Sequence, residues 1–90
     1  MIIVSYDIKN DRLRTKFSKF LLRFGCRIQF SVYRIENSPR VLDNIVASVQ
    51  TMFLPQFSEE DSVLILNLSS SCEIIKMGYI EHEDEPILIV

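Results

Sequence analysis

The sequence predicts a small α+β domain, and three features of the 90 residues predict it. Short runs of β-forming residues alternate with two segments whose apolar residues recur at helical spacing. Both helical segments open on capping residues and end on breaking ones. Apolar residues make up 48% of the chain, with only two glycines and three prolines, a composition that packs a core instead of staying disordered.

The first strand is Ile2–Tyr6. A helix starts near Asn10, a good N-cap residue, with Asp11 favourable in the first turn. Leu13, Phe17, Phe20, Leu21 and Phe24 share one face of it, and Gly25 follows where a left-handed cap would sit. The second strand is Arg27–Arg34, in which Ile28, Phe30 and Val32 alternate with Gln29, Ser31 and Tyr33. Ser38-Pro39 supplies an N-cap and a first helical position. Val41, Ile45, Val49, Met52 and Phe53 form the buried stripe of that second helix, and Pro55 ends it. The third strand, Ser62–Leu68, is apolar on both faces and so expected to be buried. Ser69-Ser70-Ser71 is a turn, Cys72–Met77 a fourth strand, and Pro86–Val90 a short terminal one.

That order fits a split βαβ arrangement, the ferredoxin-like β-α-β-β-α-β sandwich with both helices on one face and a short extra C-terminal strand. Residues 1–90 form a single such domain, with 71–90 as a C-terminal strand pair and acidic loop. An exposed apolar edge at Ile87, Leu88 and Ile89 needs cover, so these residues are expected to dock on a second copy or another protein. A core this thin often gains stability by self-pairing, and the domain is expected to be homodimeric.

No apolar run is long enough to span a bilayer, and the first residues lack the basic region and cleavage site of a signal peptide. Two cysteines, Cys26 and Cys72, make no disulfide framework and have no Cys or His at metal-ligand spacing. A reducing cytoplasm is the expected location. Ser5, Ser31 and the serine triplet show no nucleophile elbow, and P-loop, dinucleotide and RRM motifs are absent. His82, the single histidine, sits in the acidic run Glu81–Glu85 and reads as a solvated loop residue.

The net charge of −2 hides a segregation of sign. Residues 1–40 carry nine basic against three acidic residues, and residues 41–90 carry one against nine. A phosphate backbone meets the local field, so an acidic total does not exclude nucleic acid. Arg12, Lys16, Lys19 and Arg23 fall within an arc of roughly sixty degrees beside the apolar stripe of the first helix. They form a rail suited to a polyanion, with Arg14 on the other flank. A solvated amphipathic helix is the plainer alternative; against it, no acidic residue lies between Arg12 and Arg27 to pair with the rail.

Asp7 is the chemical centre of interest. A carboxylate at the end of a strand is rigidly held, and hard cations prefer such oxygens. One acid cannot build a metal site, but a symmetric dimer could supply the second. The plainer reading is a turn or capping acid at a strand-to-helix junction.

The opening Val4-Ser5-Tyr6-Asp7-Ile8 followed by Asp11-Arg12-Leu13-Arg14-Thr15-Lys16 resembles that of the CRISPR-associated Cas two family. So does the stretch from Lys19 to Tyr33, which runs from an apolar helix end through Gly25, Arg27, Gln29 and Ser31 to an aromatic residue. Asp61-Ser62-Val63-Leu64-Ile65 is similar to the family's third strand. The likeness spans residues 2 to about 68. It implies a ferredoxin-like homodimer that serves CRISPR adaptation (spacer acquisition), bridges dimers of the Cas one integrase and holds double-stranded prespacer DNA. It also implies a metal-dependent endoribonuclease or DNase, with single-stranded RNA as a substrate and Mg²⁺ or another divalent cation on the acid after the first strand. That catalytic and metal-binding acid corresponds to Asp7. Arg12, Arg14 and Lys16 correspond to the family's basic helix start, and Arg27 to the basic residue after the glycine. Leu13 and Leu64 stand where the family often has basic residues. Three other classes remain: a toxin-like ferredoxin-fold ribonuclease acting alone, a metabolite-binding regulatory module, and a purely structural dimer. The scarcity of glycine weighs against the second of these.

Overall fold

Burial with a period of two along the first strand sets the frame. In a computed structural model, which describes residues 1–75, 77 and 78, β1 (Ile2–Asp7) directs Ile2, Val4 and Tyr6 into the core. Ile3, Ser5 and Asp7 face the other way. Then come α1 (Asp11–Leu22), β2 (Gly25–Gln29), β3 (Val32–Ile35), α2 (Pro39–Ser48) and β4 (Ser62–Asn67). The four strands form one antiparallel sheet in the order β2-β3-β1-β4, as a ferredoxin-like fold requires. Both helices lie on one face, and the core between is built from Ile2, Val4, Tyr6, Tyr33 and Ile35 of the sheet against Leu13, Phe17, Leu21, Ile45 and Phe53. Phe17 centres it, meeting Tyr6 edge-on at 5.1 Å and Phe53 at 4.8 Å between centroids.

The caps form as the sequence requires. Asn10 accepts from the Leu13 N–H at 2.9 Å and Ser38 from the Val41 N–H at 3.3 Å, each side chain relieving an unpaired donor of a first turn. The Ser69–Ser71 turn is closed by the Cys72 N–H, which donates to the Ser69 carbonyl at 3.1 Å.

Five expectations need correction. The strand expected over Arg27–Arg34 is a hairpin: Gln29 pairs with Val32 across a two-residue turn, and a register shift falls between Arg27 and Gln29. Phe30 therefore leaves the core and is 73% exposed. Gly25 is not a left-handed helix cap; it opens β2, where a Cβ would lie 1.9 Å from the Arg34 carbonyl oxygen. Met52 is exposed, because a π-helical turn over Val49–Phe53 shifts the helical phase and keeps Val49 and Phe53 inside. β4 is an edge strand with one covered face, so Leu64 and Leu66 are exposed while Val63 and Ile65 pack on the core. None of the described residues of Cys72–Met77 is in a strand. The terminal strand at Pro86–Val90, its docking residues Ile87, Leu88 and Ile89, and the acidic loop with His82 lie outside the described residues.

Candidate nucleic-acid interface

Asp7 ends β1, paired with Ser62 of β4. Its neighbours Tyr6 and Ile8 belong to the core, so its carboxylate projects on the sheet face that the helices leave uncovered. There it is 64% exposed and ion-paired with Lys9 Nζ at 3.2 Å. The cross-strand register sets its surroundings. Ile3 lies between Arg34 and Leu66, and Ser5 between Val32 and Leu64, on the same uncovered face.

The loop that follows Asp7 is tied from both sides. Arg14 donates from Nη1 to the carbonyls of Ile8 at 3.0 Å and Lys9 at 3.3 Å, and its other nitrogen pairs with Asp11. Asp61, at the entrance to β4, accepts from the Lys9 N–H at 2.9 Å and the Ser58 N–H at 2.7 Å. Those backbone donors, Ser58 first and Lys9 second, hold the Asp61 carboxyl below its usual range. Asp7 thus stands on a backbone fixed by α1 and β4 together.

Beside it opens a cleft of about 260 Å³ bounded by Asp7, Lys9, Arg14, Phe30 and Ser31. Phe30 comes from the β2–β3 turn, and the Ser31 carbonyl accepts from the Tyr6 N–H at 3.1 Å. One side of the cleft is therefore locked to β1. Two cations, a carboxylate and an exposed ring converge where the sequence marked only Asp7 and Arg14. Lys9 carries no signal in the sequence because it lies outside the helical rail, and Phe30 because its place in the alternation is that of a core-facing strand residue.

Between α1 and the sheet lies a buried polar network. Ser18 and Tyr33 share a hydroxyl–hydroxyl hydrogen bond, and Arg27 donates to Tyr33 Oη at 3.1 Å and Ser18 Oγ at 3.2 Å. Burial, reinforced by the neighbouring Tyr33 hydroxyl, pushes the Tyr6 phenol up to about 12, so it stays protonated at neutral pH. Arg27, expected on phosphate, is engaged with this network and with the rings of Phe30 and Tyr33, 5.8 and 5.7 Å away.

Arg12, Lys16 and Lys19 of α1 and Arg23 at its C-cap are all exposed, on the flank beside Leu13, Phe17 and Leu21. The rail forms along α1 and its first member comes close to the Asp7 loop: Arg12 lines one cleft with Lys9, the ion-pair partner of Asp7, while Lys16, Lys19 and Arg23 follow further along the helix. Among the described residues no three His, Cys, Asp or Glu side chains gather as a metal site, and no helix is long and apolar enough to cross a membrane.

The family described as CRISPR-associated protein Cas2 matches residues 1–74. The chain belongs to that family. Among Cas2 relatives, it is 26% identical over 90 residues to "CRISPR-associated endoribonuclease Cas2 2" of Methanospirillum hungatei, covering 98% of this chain and 97% of the relative. It is 30% identical over 69 residues to "CRISPR-associated endoribonuclease Cas2 3" of Synechocystis sp., covering 77% of this chain and 72% of that one. The Cas2 fold is matched by two crystal structures. A hypothetical protein from Thermus thermophilus superposes with a TM-score of 0.68 at 24% identity, covering 89% of this chain and 95% of its own. Streptococcus pyogenes Cas2 gives 0.64 at 18% identity, covering 83% and 98%.

Proposed function

We propose that this chain is a homodimeric CRISPR adaptation subunit. In this reading it binds nucleic-acid backbone, bridges the Cas one integrase and carries metal-dependent endoribonuclease or DNase chemistry. The observation that carries the reading is the position of Asp7: a carboxylate at the end of β1 beside an anchored loop, at the border of a sheet face that exposes Leu64 by 57% and Leu66 by 37%. An apolar face of that kind calls for a partner. A second copy packed on it about a two-fold axis brings its own Asp7 toward the first. The names of the relatives, CRISPR-associated endoribonucleases, support the chemistry.

Asp7 is the one carboxylate lining the cleft, so a divalent ion such as Mg²⁺ would be held by the Asp7 side chains of both subunits. Bound there, the ion supplies charge neutralisation at a phosphodiester and a more acidic water. Lys9 and Arg14 orient the phosphate beside Asp7, and the protonated Tyr6 takes no part as a base. Arg12, Lys16, Lys19 and Arg23 hold backbone without reading sequence. Ile87, Leu88 and Ile89 serve integrase docking.

Asp7→Ala tests the chemistry. Expected is a folded dimer that no longer cleaves single-stranded RNA in Mg²⁺. Undiminished cleavage by a rigorously purified variant would remove Asp7 from the reaction.

A further inference from the structure

We propose that Phe30 is a stacking platform for an unpaired nucleobase, which makes the Asp7 cleft selective for single-stranded over duplex RNA. The proposal deepens the function above and rests on it. A two-residue hairpin turn ordinarily takes small or polar residues, since nothing packs on its tip. Here the tip carries a phenyl ring that is 73% exposed and adds nothing to the core. The ring shares its cleft with Lys9 and Arg14, so a phosphate held by those cations leaves its own base within reach of the ring. A backbone-binding charge next to an aromatic face is the pairing by which proteins hold unstacked strands.

The ring is also held in place. The Arg27 guanidinium lies 5.8 Å from its centroid, itself fixed by Tyr33 Oη and Ser18 Oγ. The turn backbone is pinned where the Ser31 carbonyl accepts from Tyr6. A ring so restrained loses little freedom when a base stacks on it. A base inside a duplex already has both faces covered by its neighbours and has none to offer.

The chain has no tryptophan, so Phe30→Trp introduces a single indole reporter. Its fluorescence is expected to be quenched by a short single-stranded RNA and left unchanged by the matched duplex. Phe30→Ala should weaken single-strand binding by about tenfold or more, with duplex affinity and thermal midpoint unchanged, and Phe30→Tyr should restore it. Equal losses on single strand and duplex, or no loss on either, would overturn the proposal. So would a change of oligomeric state in Phe30→Ala, which would make the ring a contact between copies. If the wild type binds and cleaves RNA through Asp7 while Phe30→Ala behaves identically, only this inference fails. If the wild type binds no single-stranded RNA, this inference and the endoribonuclease branch of the function proposed above fail together.

Discussion

Leu64→Lys tests the uncovered sheet face as a dimer surface. Leu64 sits on β4 opposite Ser5 and is 57% exposed, so a face-to-face partner would bury that fraction again. Complete burial of a leucine side chain is worth about 1.5–3 kcal/mol. Scaled by the exposed fraction and doubled for the two copies in a two-fold interface, the loss is about 2–3 kcal/mol. At about 1.4 kcal/mol per tenfold, the dimer dissociation constant should rise roughly 30- to 150-fold. Desolvating two ammonium groups adds to that figure. The isolated fold should barely notice, because exposed substitutions usually change stability by about 0.5 kcal/mol or less. Sedimentation velocity over a concentration series measures the first quantity, and thermal melting of the dissociated protein measures the second. An unchanged dissociation constant would refute the use of this face. A dissociated variant that still cleaves RNA at the wild-type rate per chain would refute the pairing of Asp7 across subunits.

Three further predictions address the fold, the rail and the loop. Gly25→Ala should destabilise by about 2–3 kcal/mol, since its Cβ would meet the Arg34 carbonyl oxygen at 1.9 Å and backbone cannot rotate aside. A thermal midpoint lowered by roughly 10–20 °C is expected, and a shift near zero would deny the close approach of β2 to β3. Reversing the charge of Lys16, Lys19 and Arg23 should weaken duplex binding and lower the slope of log affinity against log salt by about 0.9 for each phosphate no longer neutralised; an unchanged slope removes the rail from the interface. The Asp61 carboxyl has its pKa depressed by the Ser58 and Lys9 N–H groups, so its stabilisation is present above the unfolded value and lost as pH falls through the folded one. Acid melting curves of Asp61→Asn should therefore be flatter than wild type below about pH 4, and identical curves would show that the anchor contributes nothing.

The caps, the stripe of the first helix and the place of Asp7 at the end of the first strand are legible in the sequence because each depends on chemistry within a few residues. Asn10 and Ser38-Pro39 act on N–H groups three positions away, and the structure places both at the helix starts that spacing predicts. The hairpin is illegible because Phe30-Ser31 contains none of the Gly, Asn, Asp or Pro that mark tight turns, and apolar alternation continues straight through it. The half-exposure of β4 is hidden for a different reason: composition cannot tell which face of a sheet the helices cover. Met52 looks like a stripe residue because a π turn changes the helical period without changing residue types. Arg14 and Arg27 look like free cations in a charge count. Only the folded chain shows that carbonyls, hydroxyls and rings of the same molecule lie within their reach.

Lys16, Lys19 and Arg23 run along the helical layer while the Asp7 carboxylate projects from the uncovered sheet face, and this placement has a mechanical consequence. In the proposed dimer, formed through the uncovered face, both copies of Asp7 would border the shared face and both α1 helices would lie on the outside. Backbone held along Arg12, Lys16, Lys19 and Arg23 then runs over the outer surface and does not compete with a strand at the Asp7 cleft. On the function proposed above, holding and cutting would be separable on one small scaffold, each with its own cations: the rail for the first, Lys9 and Arg14 for the second. Separation also lets the two diverge. Loss of Asp7 would leave the outer surface and the dimer intact, whereas loss of the apolar face would part the two Asp7 side chains and leave each rail in place.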